Sequence, residues 1–336
     1  SSSGGANVAA AWSLKNNSGS NIYGTGIHIN IIDDGLEVSH SDLSTNYISA
    51  SSYDYVDGDG DPTPPSSDDH GTACAGVAAG YGHNGVGITG AAPNANISGQ
   101  RLLGAGTPTN EATALTRTIN SVDIYSNSWG PYDDGTLQPA PPEVLAALEN
   151  GATNGRNGKG VIYTWAGGNG RTSNDNSNYD GYANSRYVIS VAAITNQGAY
   201  SWYSEPGANV LVSSPSNGGS DAITTTSTNN GYTDNFGGTS SATPLVSGIV
   251  ALMLEANPNL SWRDVQHVLA NSSDVVDSNS SGWFTNGAGH EFSHDYGFGR
   301  INAESAVALS KTWSNVGSEV SYSASINPGT PIPDAG

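Results

Sequence analysis

At 336 residues the chain can hold one large α/β domain or two smaller ones, and 10 Lys and Arg against 30 Asp and Glu give it a formal charge of −20. A surface this acidic repels polyanions, which argues against nucleic acid as a partner and suits basic peptides or divalent cations. A single cysteine, Cys74, excludes an intrachain disulfide and a zinc–thiolate cluster, so the fold must rest on its core and on any bound metal.

No run of 18 apolar residues occurs, so no membrane-inserted segment is expected, and a chain opening at Ser1 reads as a soluble, already processed form. Asn96-Ile97-Ser98 and Asn271-Ser272-Ser273 are glycan acceptors if the chain follows a eukaryotic secretory route.

In chain order, residues 26–32 read as a buried strand ending on Asp33-Asp34-Gly35. Residues 54–61 then alternate Asp with Gly, in the manner of a calcium loop or of a plain turn cluster. Helical windows at 70–79, 111–120, 143–152 and 244–256 alternate with strand-like runs at 97–103, 122–125, 161–166 and 188–193. That alternation predicts an α/β fold: a doubly wound, mostly parallel sheet with helices on both faces and a ligand site at the carboxyl ends of its strands. Ser261-Trp262-Arg263-Asp264 opens another helix with a capping-box-like start. After residue 310 the pattern fades, and the tail over 316–336, with Pro328, Pro331 and Pro333, reads as a linker. The expected division is a domain over 1–313 and a linker or tail over 314–336.

The stretch Gly237-Gly238-Thr239-Ser240-Ser241-Ala242-Thr243-Pro244 runs into an apolar segment, with Pro244 expected at the start of a helix, where a missing N–H costs nothing. Ser240 is thereby placed at a helix N-terminus, as a nucleophile beside backbone N–H donors or as an ordinary N-cap. Asp33 ends a strand and His70 opens a helix, so the three residue types of a serine hydrolase are present: nucleophile, base, and a carboxylate to fix the base's tautomer. Cys74 follows His70 by one helical turn on the same face, either as a small core residue or as a thiol close to the imidazole.

Ile32-Asp33-Asp34-Gly35, His70-Gly71-Thr72 and Gly238-Thr239-Ser240-Ser241-Ala242-Thr243-Pro244 resemble the three active-site signatures of subtilisin-like serine proteases, which carry their triad in this order. The second Asp of Asp33-Asp34-Gly35, the stretch Ser128-Trp129-Gly130-Pro131-Tyr132-Asp133-Asp134-Gly135 and the segment 254–266 resemble the kexin and furin branch. The likeness extends over about residues 8–313. It implies a subtilisin-like fold in which Asp33 orients His70, His70 is general base and then acid, Ser240 attacks the carbonyl, and Asn169 lends a donor to the oxyanion hole.

The same resemblance implies that Ser128, Trp129 and Gly130 pair with the substrate backbone. Asp133 and Asp180, with Tyr182 beside the latter, would line a pocket for arginine before the scissile bond (P1). Asp34 would serve the preceding residue (P2), with Asp68 and Asp69 as further acids nearby, and Glu111 would serve P4. A second P4 acid of the branch is replaced here within Leu137-Gln138-Pro139. For Ca2+ the resemblance implies Asp54, Asp59 and Asp61 in one loop, Asp133, Asp175 and Glu205 below the P1 pocket, and Asp42 with carbonyls near Asn84-Gly85-Val86 in a third site, whose usual N-terminal Asp is Gly5 here.

The expectation is a secreted, calcium-dependent serine endopeptidase cutting after paired basic residues, located outside the cell, in a secretory lumen or in the periplasm. Its partners would be basic peptides or proteins and a propeptide that assists folding and inhibits, with a P domain expected beyond the catalytic domain. It would be a monomer. No two of its own basic residues are adjacent, which fits a protease that must survive itself. A subtilase of relaxed specificity, with the acids serving calcium alone, and an inactive subtilase fold acting as a binding module are the competing readings.

Overall fold

The computed structural model describes residues 5–317 and 319–325. Its centre is a sheet whose strands are buried on both faces, as the continuous apolar runs require. The strands are β1 (His28–Asp33), β2 (Tyr53–Asp54), β3 (Asn96–Arg101), β4 (Ile124–Asn127), β5 (Ile162–Ala166), β6 (Val188–Ile194) and β7 (Val210–Pro215). They lie in the order β2-β3-β1-β4-β5-β6-β7, every neighbouring pair parallel. A hairpin of β8 (Ile223–Ser227) and β9 (Gly231–Phe236) and a short pair, β10 (Phe284–Thr285) and β11 (Glu291–Phe292), stand apart.

The helices are α1 (Val8–Trp12), α2 (His70–Ala79), α3 (Pro108–Thr116), α4 (Pro142–Gly158), α5 (Gly238–Ala256), α6 (Trp262–Ser272) and α7 (Ala303–Thr312). Helix α3 begins earlier than its apolar window because Thr107 caps it, accepting from Asn110 N–H, and Pro108 takes the first position. The capping box of α6 is present as read, with Ser261 and Asp264 bonded reciprocally. Helix α5 begins at Gly238, so Pro244 lies inside the helix and not at its start. By length and composition α5 could cross a membrane, but 83% of it is buried in the protein, where it packs against α2, α7 and the sheet. It is the core helix.

Two buried polar side chains fix the register of β1 against β3. His28 Nε2 meets Ser98 Oγ at 2.8 Å, and Asn30 Nδ2 donates to the same oxygen at 2.6 Å while its Oδ1 accepts from Gln100 Nε2 at 2.7 Å. A one-residue slip would break all three of these contacts between the strands. The residues after helix α7 differ from a free linker at first, because Trp313 Nε1 and Val316 N–H both donate to Asp264 Oδ1. Pro328, Pro331 and Pro333 lie outside the described residues.

Small residues let α5 and α2 approach closely. A Cβ at Gly248 would stand 2.5 Å from the Ala78 carbonyl oxygen and 2.6 Å from Ala91 Cβ. Gly248→Val must therefore push α2 away, and we expect a loss of roughly 1–3 kcal/mol, measured as a lower urea midpoint at unchanged slope. An unchanged midpoint would show that the helices can part without cost.

Candidate active site

The carboxyl ends of β1, β4 and β5 and the first turns of α2 and α5 meet at one place. Asp33 is the last residue of β1, and its side chain is 1% exposed. Its Oδ1 stands 2.8 Å from His70 Nδ1. His70 is the first residue of α2 and is 34% exposed, so one face of its ring is held and the other is open to solvent. The Asp33 charge holds the His70 imidazolium well above its ordinary range. Phe236, at the end of β9, packs edge-on against the ring at 5.5 Å between centroids.

Asp34 does something the sequence did not disclose. Its Oδ2 accepts the His70 backbone N–H at 3.1 Å and its Oδ1 the Gly71 N–H at 2.7 Å, so a carboxylate from the strand loop caps the helix that carries the imidazole. Burial and the Asp33 charge push Asp34 up to about 6.

Ser240 lies in the first turn of α5, and its Oγ donates to the Ser128 carbonyl at 3.3 Å. Pro244 has no N–H to give to the carbonyl four residues earlier, and that carbonyl is Ser240's own. The freed oxygen accepts instead from Ser128 Oγ at 3.0 Å and from Cys74 Sγ at 3.6 Å. Cys74 is buried, as a core residue should be, yet its sulfur lies 3.9 Å from His70 Nδ1 and 3.7 Å from Asp33 Oδ2, so both readings of it describe one residue. Burial pushes its thiol up, which keeps it a neutral donor.

Asn169 follows β5 in a glycine-rich turn. Its Oδ1 accepts from Thr239 N–H at 2.9 Å and from Thr239 Oγ1 at 3.1 Å, which assigns Nδ2 as the free donor. No local pattern marks Thr239 for this role, nor Asn217, whose Oδ1 accepts Gly238 N–H at 3.1 Å.

A cavity of about 100 Å³ opens beside Ser240, walled by Ser128, Trp129, Gly130, Asp133, Asn169, Asp175, Asp180 and Glu205 among others, with no Lys or Arg. Asp133, Asp175 and Glu205 each present an oxygen within 4.8 Å of the others. Burial, with the Asp175 and Asp133 charges adding to it, pushes Glu205 up to about 8, and burial raises Asp133 as well. Gly170 N–H donates to Glu205 Oε1 at 2.9 Å, tying the trio to the loop that carries Asn169, and Gly135 N–H donates to Asp175 Oδ2 at 3.0 Å, tying it to the loop that carries Asp133. Asp180 stands apart from the trio, accepts Tyr182 N–H at 2.7 Å and is pushed up to about 7, mainly by burial and then by the Asp133 and Asp175 charges.

Other expected residues lie outside that cavity. Asp68 pairs with Ser67 Oγ, Asp69 accepts from Ser227 Oγ at 2.9 Å, and Glu111 accepts from Tyr182 Oη at 2.9 Å. Tyr182 packs with Trp129 and Trp165 in an aromatic cluster behind the cavity wall. Asp54, Asp59 and Asp61 do not converge. Arg101 donates to Asp54 at 3.0 Å and to Asp57 at 2.9 Å, while Asp59 and Asp61 each accept the N–H two residues ahead. That one guanidinium offsets one of the four carboxylate charges the loop carries on Asp54, Asp57, Asp59 and Asp61. Asp42 is fully buried, its Oδ2 accepts Ile88 N–H at 2.8 Å, and its Oδ1 is buried with no hydrogen-bond partner.

Residues 24–299 match the family described as "Subtilase family". The chain belongs to the subtilase family. This subtilase is 44% identical to furin-1 of Xenopus laevis over 307 residues, covering 89% of the chain and 39% of that protein. Kexin of Saccharomyces cerevisiae is 43% identical over 304 residues, covering 89% and 37%, and furin of Homo sapiens 42% over 318 residues, covering 92% and 39%. The chain spans about two fifths of the length of the curated relatives it matches. Among solved structures, the serine protease of Aeromonas sobria matches with a TM-score of 0.80 at 27% identity, covering 89% of this chain and 63% of that one. The same protease in complex with its chaperone ORF2 gives 0.81 at 25% identity, covering 94% and 68%. The chain is a subtilase catalytic domain of the furin and kexin kind.

If Asn169 Nδ2 serves the oxyanion, Asn169→Ala should lower kcat on a peptide amide by about 10²–10³-fold with little change in KM. A loss confined to KM would assign Asn169 to substrate binding instead.

Proposed function

We propose that this domain is a serine endopeptidase that cleaves after basic residues, with highest rates after Lys-Arg or Arg-Arg. The observation that carries the reading is a helix-start serine, with a paired Asp33–His70 at the same strand ends, beside a cavity walled by four carboxylates and no Lys or Arg. His70 takes the Ser240 proton as the hydroxyl attacks the carbonyl and returns it to the leaving amine, while Asp33 holds the ring. The Ser128 carbonyl that now accepts from Ser240 is also the acceptor an extended substrate needs for its own N–H. Binding of the substrate backbone there releases the hydroxyl toward His70.

Asp180 is the partner for a P1 guanidinium, since Asp133, Asp175 and Glu205 form a separate trio with the geometry of hard-cation ligands. Three carboxylates this close suit Ca2+, and the unpartnered, buried Asp42 Oδ1 supports a second calcium position with the carbonyls of the 84–86 loop. Bound calcium supplies the positive charge that lets the trio ionise together beneath the oxyanion loop. Secretion and a propeptide follow from the furin-like reading. Asp34 retains a P2 role in this reading, joined to its capping of α2.

The first test compares kcat/KM on matched tetrapeptide amides ending in Lys-Arg, Ala-Arg and Ala-Phe. A preference for Lys-Arg over Ala-Phe of a few hundredfold, about 3 kcal/mol in transition-state binding, is expected, whereas equal rates would leave a subtilase of relaxed specificity. The preference for arginine should also depend on pH. Asp180 holds its proton up to about pH 7 and cannot pair with a guanidinium while neutral. The ratio of kcat/KM for Ala-Arg to that for Ala-Phe, from which the titration of His70 cancels, should fall as pH drops through about 7. In Asp180→Asn the ratio should be lower by about tenfold, roughly 1.4 kcal/mol, and flat with pH. A pH-dependent ratio surviving in that variant would move the P1 role to another acid.

Removing calcium should lower Tm in proportion to the logarithm of free calcium above Kd. Glu205→Gln should blunt that dependence. A Tm indifferent to chelator would reassign the trio to substrate recognition alone.

A further inference from the structure

A second cavity, of about 470 Å³, lies on the other side of the nucleophile's loop, walled by Trp202, Asn217, Asp221, Asp234 and Asn235 with glycines between them and no Lys or Arg. Two of its walls are anchored to the catalytic centre. Asn217 Oδ1 accepts Gly238 N–H at 3.1 Å and Tyr203 Oη at 2.6 Å, and Asp234 and Asn235 lead directly into Phe236, whose ring packs on His70.

The two cavities divide the substrate path. The acidic cavity beside Ser128 and Asn169 takes the acyl side, because Ser240 and the oxyanion donor face it. The leaving amine takes its proton from His70, so the chain beyond the scissile bond departs past His70 and Phe236, toward the second cavity. There an indole that is 62% exposed stands with two exposed carboxylates, one of them fixed by Asn196, which donates to Asp221 and to Ser220. A long aliphatic stem ending in a cation fits this surface: the stem lies on the indole, the charge reaches the carboxylates, and an acidic side chain is repelled.

We infer that Trp202, Asp221 and Asp234 form a leaving-side subsite selecting Lys or Arg two or three residues beyond the scissile bond. The inference rests on the peptidase reading above and extends the basic preference to the far side of the cut.

The test uses internally quenched peptides with one acyl sequence ending in Lys-Arg, a constant first leaving residue, and Arg, Ala or Glu at the second and third. Wild-type protein should favour Arg over Glu by about tenfold or more in kcat/KM, with Ala between. The double variant Asp221→Asn/Asp234→Asn should reduce that ratio to about threefold or less. It should cleave the matched aminomethylcoumarin amide, which has no residue beyond the scissile bond, at the wild-type rate. Equal rates for Arg and Glu in wild type, or a ratio that survives in the double variant, would overturn the subsite. Failure of wild type to release coumarin would instead remove the peptidase reading itself, and the subsite with it.

Discussion

A carboxylate that is 1% exposed at the end of a buried strand must be paired, and the active site is built around the pairing of Asp33. Its Oδ1 faces His70 Nδ1 and also accepts Asp34 N–H at 2.8 Å, and its Oδ2 lies 3.7 Å from Cys74 Sγ. The strand end is thereby tied to the first turn of α2. Asp34, capping the same helix from the next position, fixes its axis as well as its distance.

The nucleophile is held by a different device. A proline inside α5 leaves the Ser240 carbonyl without its helical donor, and Ser128 and Cys74 fill the gap from β4's end and from α2. Three elements meet at one backbone oxygen, so the serine's position depends on the same helix that positions its base. The oxyanion amide is oriented from α5 through Thr239, and its loop rests on the Glu205 carboxylate. The acidic trio beneath that loop and the oxyanion geometry above it are thus mechanically one unit.

The alternating strands and helices were legible because parallel strands buried on both faces appear as uninterrupted apolar runs, and Asp33, His70 and Ser240 stand at the ends of those elements. Strand β7 and helix α7 were not read because their apolar residues are few and interleaved with Ser, Pro and Ala. The β8–β9 hairpin, rich in Thr and Asn, gave no apolar alternation, although its end supplies the ring that packs on His70. Pro244 was assigned to a helix start because proline favours that position, and only the location of Gly238 at the true start shows which carbonyl it frees. Composition gives the Asp54 loop the character of a cation site but cannot reveal that Arg101, on a neighbouring strand, pairs with Asp54 and Asp57 there. Thr239, Asn217 and the capping by Asp34 act through tertiary contacts that no local pattern encodes.

Covalent labelling decides whether Ser240 is an activated nucleophile in the folded domain. Calcium-replete protein treated with a sulfonyl fluoride should gain one adduct per chain, mapped by mass spectrometry to Ser240, at a rate that rises with deprotonation of His70 and is lost in His70→Ala. Folded protein that remains unlabelled at Ser240 would show that the serine is not activated and leave a subtilase fold that binds without cutting.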